Sequence, residues 1–120
     1  MARQSWKTLS SSFRKRRTIE DPIASDIWTY RDDKGRSRTA QIAVGRPARI
    51  PDDPEGDWFC PVYVEGWTGH VNPAIGVGPL DALMNALTVV RGFQDHVGTM
   101  HIRYETRTGR GRARGKRSQK

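Results

Sequence analysis

Trp58-Phe59-Cys60-Pro61-Val62-Tyr63-Val64 is the most strand-like run in the chain, and its reading decides the fold. At a period of two, Trp58, Cys60, Val62 and Val64 share one face, while Phe59, Pro61, Tyr63 and Glu65 share the other. Pro61 has no N–H to give to a ladder, so the run predicts an edge strand or one bulged at that point. The only long helical pattern follows, from Pro79 to Val97. Gly78-Pro79 supplies a permissive cap and a proline in the first turn, where a missing N–H does no harm. Asp81 adds a carboxylate at the positive end of the helix dipole. Leu80, Leu83, Met84, Leu87 and Val90 form one apolar stripe, widened by Ala82, Ala86, Val89 and Phe93. The expectation is a helix deep against a sheet, with Leu87 mid-stripe and Gly98 as terminator.

Outward from this pair, Ile23 to Tyr30 reads as a first strand, with Ile23 and Ile27 on one face and Trp28 and Tyr30 on the other. Asp32-Asp33-Lys34-Gly35 is turn chemistry, because Asx side chains bond the local backbone and Gly accepts a positive φ. Ser37 to Arg46 returns as a second strand whose apolar face carries Ala40, Ile42 and Val44. Pro47, Pro51 and Pro54 interrupt the acidic run Asp52, Asp53, Glu55 and Asp57, which predicts a loop. His70 to Val77 reads as a short fourth strand broken by Pro73, and Thr99 to Tyr104 as either a last strand or the exit from the domain. The predicted fold class is α+β: a small antiparallel sheet of three to five strands with one long amphipathic helix on one face, in the order β-β-β-(β)-α.

Charge divides the 120 residues into three parts. Residues 1–17 hold six Lys/Arg and no acid; residues 99–120 hold eight against Glu105 alone. The segment 18–98 holds twelve acids against seven bases, so an acidic domain sits between basic ends. The domain reading is therefore a basic N-terminal segment, 1–17, a single α+β domain, 18–105, and a basic tail, 106–120. The tail has no apolar side chain larger than Ala113 and cannot offset its ordering entropy by burial, so disorder is expected when it is free. In the first segment Trp6, Leu9 and Phe13 have the spacing of a short amphipathic helix. Either the three are incidental apolar residues of a tail, or such a helix docks on the core or lies on a membrane surface or a nucleic acid. This Arg- and Ser-rich, acid-free beginning also has transit-peptide composition.

The chemistry-bearing residues do not assemble into a catalytic set. Cys60 is the only cysteine, on a strand face with Trp58 and Val62, where a thiol acts as a small hydrophobe. His70, His96 and His101 lack metal-ligand spacing, and the acidic loop lacks the twelfth-position glutamate of a calcium loop. Gly76-Val77-Gly78-Pro79 lacks the lysine of a phosphate loop. The expectations are no enzyme, no cofactor, no metal and no small-molecule ligand. No run reaches the about 20 apolar residues of a membrane span, and a single cysteine agrees with a cytoplasmic location.

Trp58-Phe59-Cys60-Pro61, then Gly66, then Gly76-x-Gly-Pro-Leu-Asp-Ala-Leu-Met-x-Ala-Leu to Leu87, together with Ile42-Ala-Val-Gly-Arg-Pro, resemble a family of small bacterial domains of unknown function. The resemblance covers roughly residues 22–95 and leaves out both basic ends. It implies a compact β-β-β-α domain in a bacterial cytoplasm, of accessory or immunity type, and brings no activity or site residues.

Two binding functions follow as expectations. In the first, the basic ends hold nucleic-acid phosphates without sequence preference, through Arg14, Lys15, Arg16, Arg17, Arg107, Arg110, Arg112, Arg114, Lys116 and Arg117. In the second, the acidic domain attracts a protein partner to an aromatic sheet face made by Trp28, Tyr30, Phe59 and Tyr63. That face is expected on the side of the sheet away from the helix, unless Trp6, Phe13 or a tail packs over it or the two faces are the other way round.

Overall fold

Asp32 shapes the first hairpin, accepting hydrogen bonds from the backbone N–H groups of Lys34 (2.9 Å) and Arg36 (2.8 Å), while Gly35 takes φ 78°. The turn sets the register Trp28↔Ala40 between β1 (Ala24–Arg31) and β2 (Ser37–Val44). A computed structural model describes residues 5–98 and 102–105, with side chains placed for 8–98. The order is α1 (Ser5–Phe13), β1, β2, β3 (Ala48–Arg49), β4 (Trp58–Val64), β5 (Asn72–Gly76), α2 (Pro79–Gly98) and β6 (Ile102–Glu105). The strands form one antiparallel sheet with the long helix on one face, an α+β fold. Of the segment past α2, Ile102–Glu105 forms β6 beside β1, so a last strand is present there; residues 99–101 lie outside the described residues.

β4 lies inside the sheet. β5 runs along one of its edges; β2 and then β3 run along the other. The expected edge or bulge at Pro61 is therefore corrected, because its register with β5 is continuous from Trp58 to Val62. The Pro61 carbonyl accepts the Gly45 N–H at 2.8 Å. A strand residue's nitrogen and carbonyl face the same edge, and on that edge β2 has ended at Val44 while β3 begins only at Ala48. The proline's missing donor thus falls in a gap between two strands. On the other edge Pro61 stands opposite Pro73, a pair that exchanges no hydrogen bond, and Pro73 turns its nitrogen to the free side of β5. Pro73 is part of β5 rather than a break in it.

The face toward α2 carries Trp28, Ala40, Ile42, Val44, Cys60, Val62 and Val64, all buried. Against them α2 buries Ala82, Ala86, Phe93 and Val97. Two alanines in successive turns bring the helix axis close to β4, and Gly76 permits the entry: a Cβ there would lie 2.7 Å from the Ala82 Cα. This rotation corrects the expected contact. Leu80, Met84 and Leu87 point outward, and only Leu83 and Val90 of the stripe pack on the core clusters. Asp81 accepts the Val77 N–H at 2.9 Å and Asn85 donates to the Ile75 carbonyl at 2.8 Å. Those two bonds pin the helix in this rotation.

The opposite face is covered in part by the N-terminal segment. Phe13 sets its ring 6.0 Å from that of Phe59, the Arg16 carbonyl accepts the Val71 N–H at 2.8 Å, and Ile19 lies against Gly45. The helix expected around Trp6, Leu9 and Phe13 is α1, and it docks on the sheet; the Trp6 side chain lies outside the described residues.

Candidate functional site

A helix turns 100° per residue, and the apolar positions of α2 span about 220° of its circumference. A sheet covers about half of a helix, so one apolar flank is left over. Val77 is 81% exposed, Leu80 67%, Met84 56% and Leu87 46%. These are four of the six large apolar side chains exposed among the described residues; the others, Ile23 and Trp67, lie elsewhere. Leu80, Met84 and Leu87 are spaced four and three residues apart and the spacing continues four further to Arg91, tracing a narrow seam along the helix; Val77 lies in the bend just before it. A shallow groove of about 290 Å³ runs beside it between Met84, Leu87, Thr88 and Arg91. Thr88 bonds back to the Met84 carbonyl at 2.9 Å, so it adds little polarity to the seam. A continuous apolar row of this kind is the physical form of a docking surface, since leaving it in water carries a hydration cost that burial against another apolar surface removes.

A second concavity, of about 710 Å³, lies between the hairpin tip, the Glu65–Trp67 turn and the last turns of α2. Trp67 packs on Phe93 and His96 at ring distances of 5.6 and 5.1 Å. Its rim holds Asp32, Asp33 and Glu65 against Lys34, Arg36 and Arg38, so its formal charges cancel. Asp32 is held below the ordinary carboxylate range chiefly by the Arg36 backbone N–H, with the Lys34 N–H and the Arg38 side chain adding to it.

The structure separates the four aromatic residues expected on one face. Trp28 is buried beneath α2, and Tyr30 packs half-buried on that same core; Phe59 and Tyr63 lie on the opposite face. The register Trp28↔Ala40 is the reason, because it puts Trp28 on the side of Ala40, Ile42 and Val44. Tyr63 is buried and Phe59 is half-covered by Phe13, so no open aromatic face results. Arg14, Lys15, Arg16 and Arg17 are all exposed; the Arg17 side chain reaches the carbonyls of Arg14 and Arg16, and the Arg16 guanidinium sits 5.4 Å from the Phe13 ring centroid. Arg107, Arg110, Arg112, Arg114, Lys116 and Arg117 lie outside the described residues.

Cys60 is fully buried and donates to the Gly45 carbonyl at 3.3 Å; burial pushes its thiol up to about 11. Among the described residues no group of three or more His, Cys, Asp or Glu is arranged to hold a metal ion, and no helix is long and apolar enough to cross a membrane. Sequence reading missed the outer flank by assigning the largest side chains to the core. The available signal was the width of the apolar arc, greater than one sheet face covers.

No protein-family model, no curated protein and no solved structure matches this chain.

Proposed function

We propose that this chain is a non-enzymatic accessory protein that docks a protein partner along the outer flank of α2. The observation that supports the reading is the row Leu80, Met84 and Leu87, held outward by a helix whose opposite side, Ala82, Ala86, Phe93 and Val97, is buried on the sheet. A partner helix with a complementary apolar face fits such a row, in the manner of helix-in-groove recognition. The acidic balance of residues 18–98 favours encounter with a cationic surface. The test is capture from nuclease-treated lysate by the immobilised full chain and by its Met84→Glu variant. A protein retained by the native chain and lost by the variant is the expected result; equal recovery by both sinks the reading.

A second reading is supported by a different observation. The four cations Arg14 to Arg17 are exposed, and among the described residues no carboxylate pairs with any of them. In this reading they and the basic tail contact nucleic-acid phosphates without base readout. Binding of single strands with a steep salt dependence, equal for different sequences, is the expected behaviour. Retention that ignores salt would overturn it.

A further inference from the structure

We infer that the concavity beside Trp67 is a stacking site for an unpaired nucleobase of single-stranded nucleic acid. The inference rests on the second reading above and adds a base contact to its phosphate contacts. Trp67 is the one aromatic ring among the large apolar side chains exposed in the described residues, at 44%. Its turn is fixed. Gly66 takes φ 77°, the Val64 carbonyl accepts the Trp67 and Thr68 N–H groups at 3.0 Å each, and the Thr68 hydroxyl accepts the Val64 N–H at 3.1 Å. His96 lies 5.1 Å from the indole with its plane tilted 32°, and Phe93 props the ring at 5.6 Å. The indole is thus held by the helix and still partly open, beside a concavity of about 710 Å³. That volume falls within the roughly 300–1,000 Å³ of small-ligand sites and admits one base. A ring already held in place loses little freedom when a second planar ring stacks on it.

Charge separates this site from the basic ends. Asp32 takes the Nε groups of Arg38 and Arg36 at 3.1 and 3.5 Å, and a guanidinium bonded through Nε still has its terminal N–H donors. Both arginines are exposed on the rim of the same concavity, where they can take the phosphate next to a stacked base. Glu65 accepts the Gln41 N–H at 2.9 Å, which ties that carboxylate to the β2 backbone. With Asp32, Asp33 and Glu65 offsetting Lys34, Arg36 and Arg38, the concavity has no net pull on a polyanion. The steep salt dependence therefore belongs to the basic ends, whereas stacking on Trp67 is not screened by salt. Stacking also uses the π-face that every base carries, so it agrees with binding that reads no base edges.

The experiment is fluorescence anisotropy of the full chain with a labelled single strand of about 12 nucleotides and with a strand of equal length that carries no bases. Both strands present the same phosphates. The native chain is expected to bind the intact strand about tenfold or more tighter than the base-free one, by the same factor at about 50 and about 200 mM salt. Trp67→Leu keeps an apolar side chain against Phe93 and is expected to bind both strands alike, at the native chain's affinity for the base-free strand. A cooperative melting transition verifies its fold. Trp67→Phe keeps a ring in place and is expected to retain part of the preference. A native chain that binds both strands equally overturns the stacking site and leaves the phosphate reading standing. A preference that survives Trp67→Leu overturns it too, as does one that Trp67→Phe abolishes as fully as Trp67→Leu. Binding of neither strand by the native chain overturns the phosphate reading and this inference with it.

Discussion

Trp28 and Phe93 stack with their ring centroids 6.0 Å apart and their planes 17° from parallel. The contact joins the first strand to the next-to-last turn of α2, and Tyr30 closes on the same phenyl ring edge-on at 5.7 Å. It makes Phe93, and not a leucine, the largest side chain through which the helix holds the sheet.

Phe93→Ala is therefore expected to cost about 3–5 kcal/mol, the range for removing a buried phenyl ring. Leu87→Ala, at a position 46% exposed, is expected to cost less than about 1 kcal/mol. Urea unfolding of the two variants gives the comparison. A larger loss for Leu87→Ala would mean that the stripe, and not Phe93, faces the sheet.

Gly76 and Gly78 make a matched pair two residues apart. A Cβ on Gly76 meets the Ala82 backbone, whereas one on Gly78 has nothing within 4 Å. Gly76→Ala must push the first turn of α2 off β5, at a cost of about 1–3 kcal/mol. Gly78→Ala is expected to stay within about 0.5 kcal/mol of the native chain. Equal melting temperatures for the two variants would contradict the close approach.

The thiol of Cys60 gives a pH dependence. Its pKa rises from 9.0 to about 11 through desolvation in the core, so the folded state favours the neutral thiol. The unfolded chain ionises first as pH rises. Stability from this group is thus fully present below pH 9.0 and is lost between 9.0 and about 11. The native chain is expected to become easier to unfold in that window, while a Cys60→Ala variant lacks this component of the decline. A thiol reagent at pH 8 is expected to label the native protein only as fast as it opens. Rapid labelling without denaturant would show the thiol to be accessible.

The N-terminal segment supplies the fourth expectation. Phe13 covers Phe59, and Val71 gives its N–H to Arg16. Phe13→Ala is expected to cost roughly 1–2 kcal/mol, less than a fully buried ring. Removal of residues 1–17 is expected to lower the melting temperature further while leaving a cooperative transition. An unchanged melting temperature would show that α1 adds nothing to the fold.

Some of this was legible in the residues themselves. Alternation alone places Cys60, Val62 and Val64 on one face, because a strand's side chains can only alternate. Glycine and proline mark the start of α2 through local backbone sterics. The segregation of charge is a property of composition and needs no structure. All of these are local rules, in which a residue's neighbours in the chain decide its state.

What tertiary structure decided were relations between elements. Nothing local to β1 says which of its faces meets the helix; the hairpin register Trp28↔Ala40 does. Pro61 looks like an edge residue until the gap between β2 and β3 is seen to absorb its missing donor. An apolar arc wider than one sheet face can turn either its leucines or its alanines inward. Close approach over β4 selected Ala82 and Ala86, because small side chains let more of the helix surface pack. The candidate docking surface is the remainder of that choice: Leu80, Met84 and Leu87 are outside because Asn85, Asp81 and Phe93 hold the helix turned the other way.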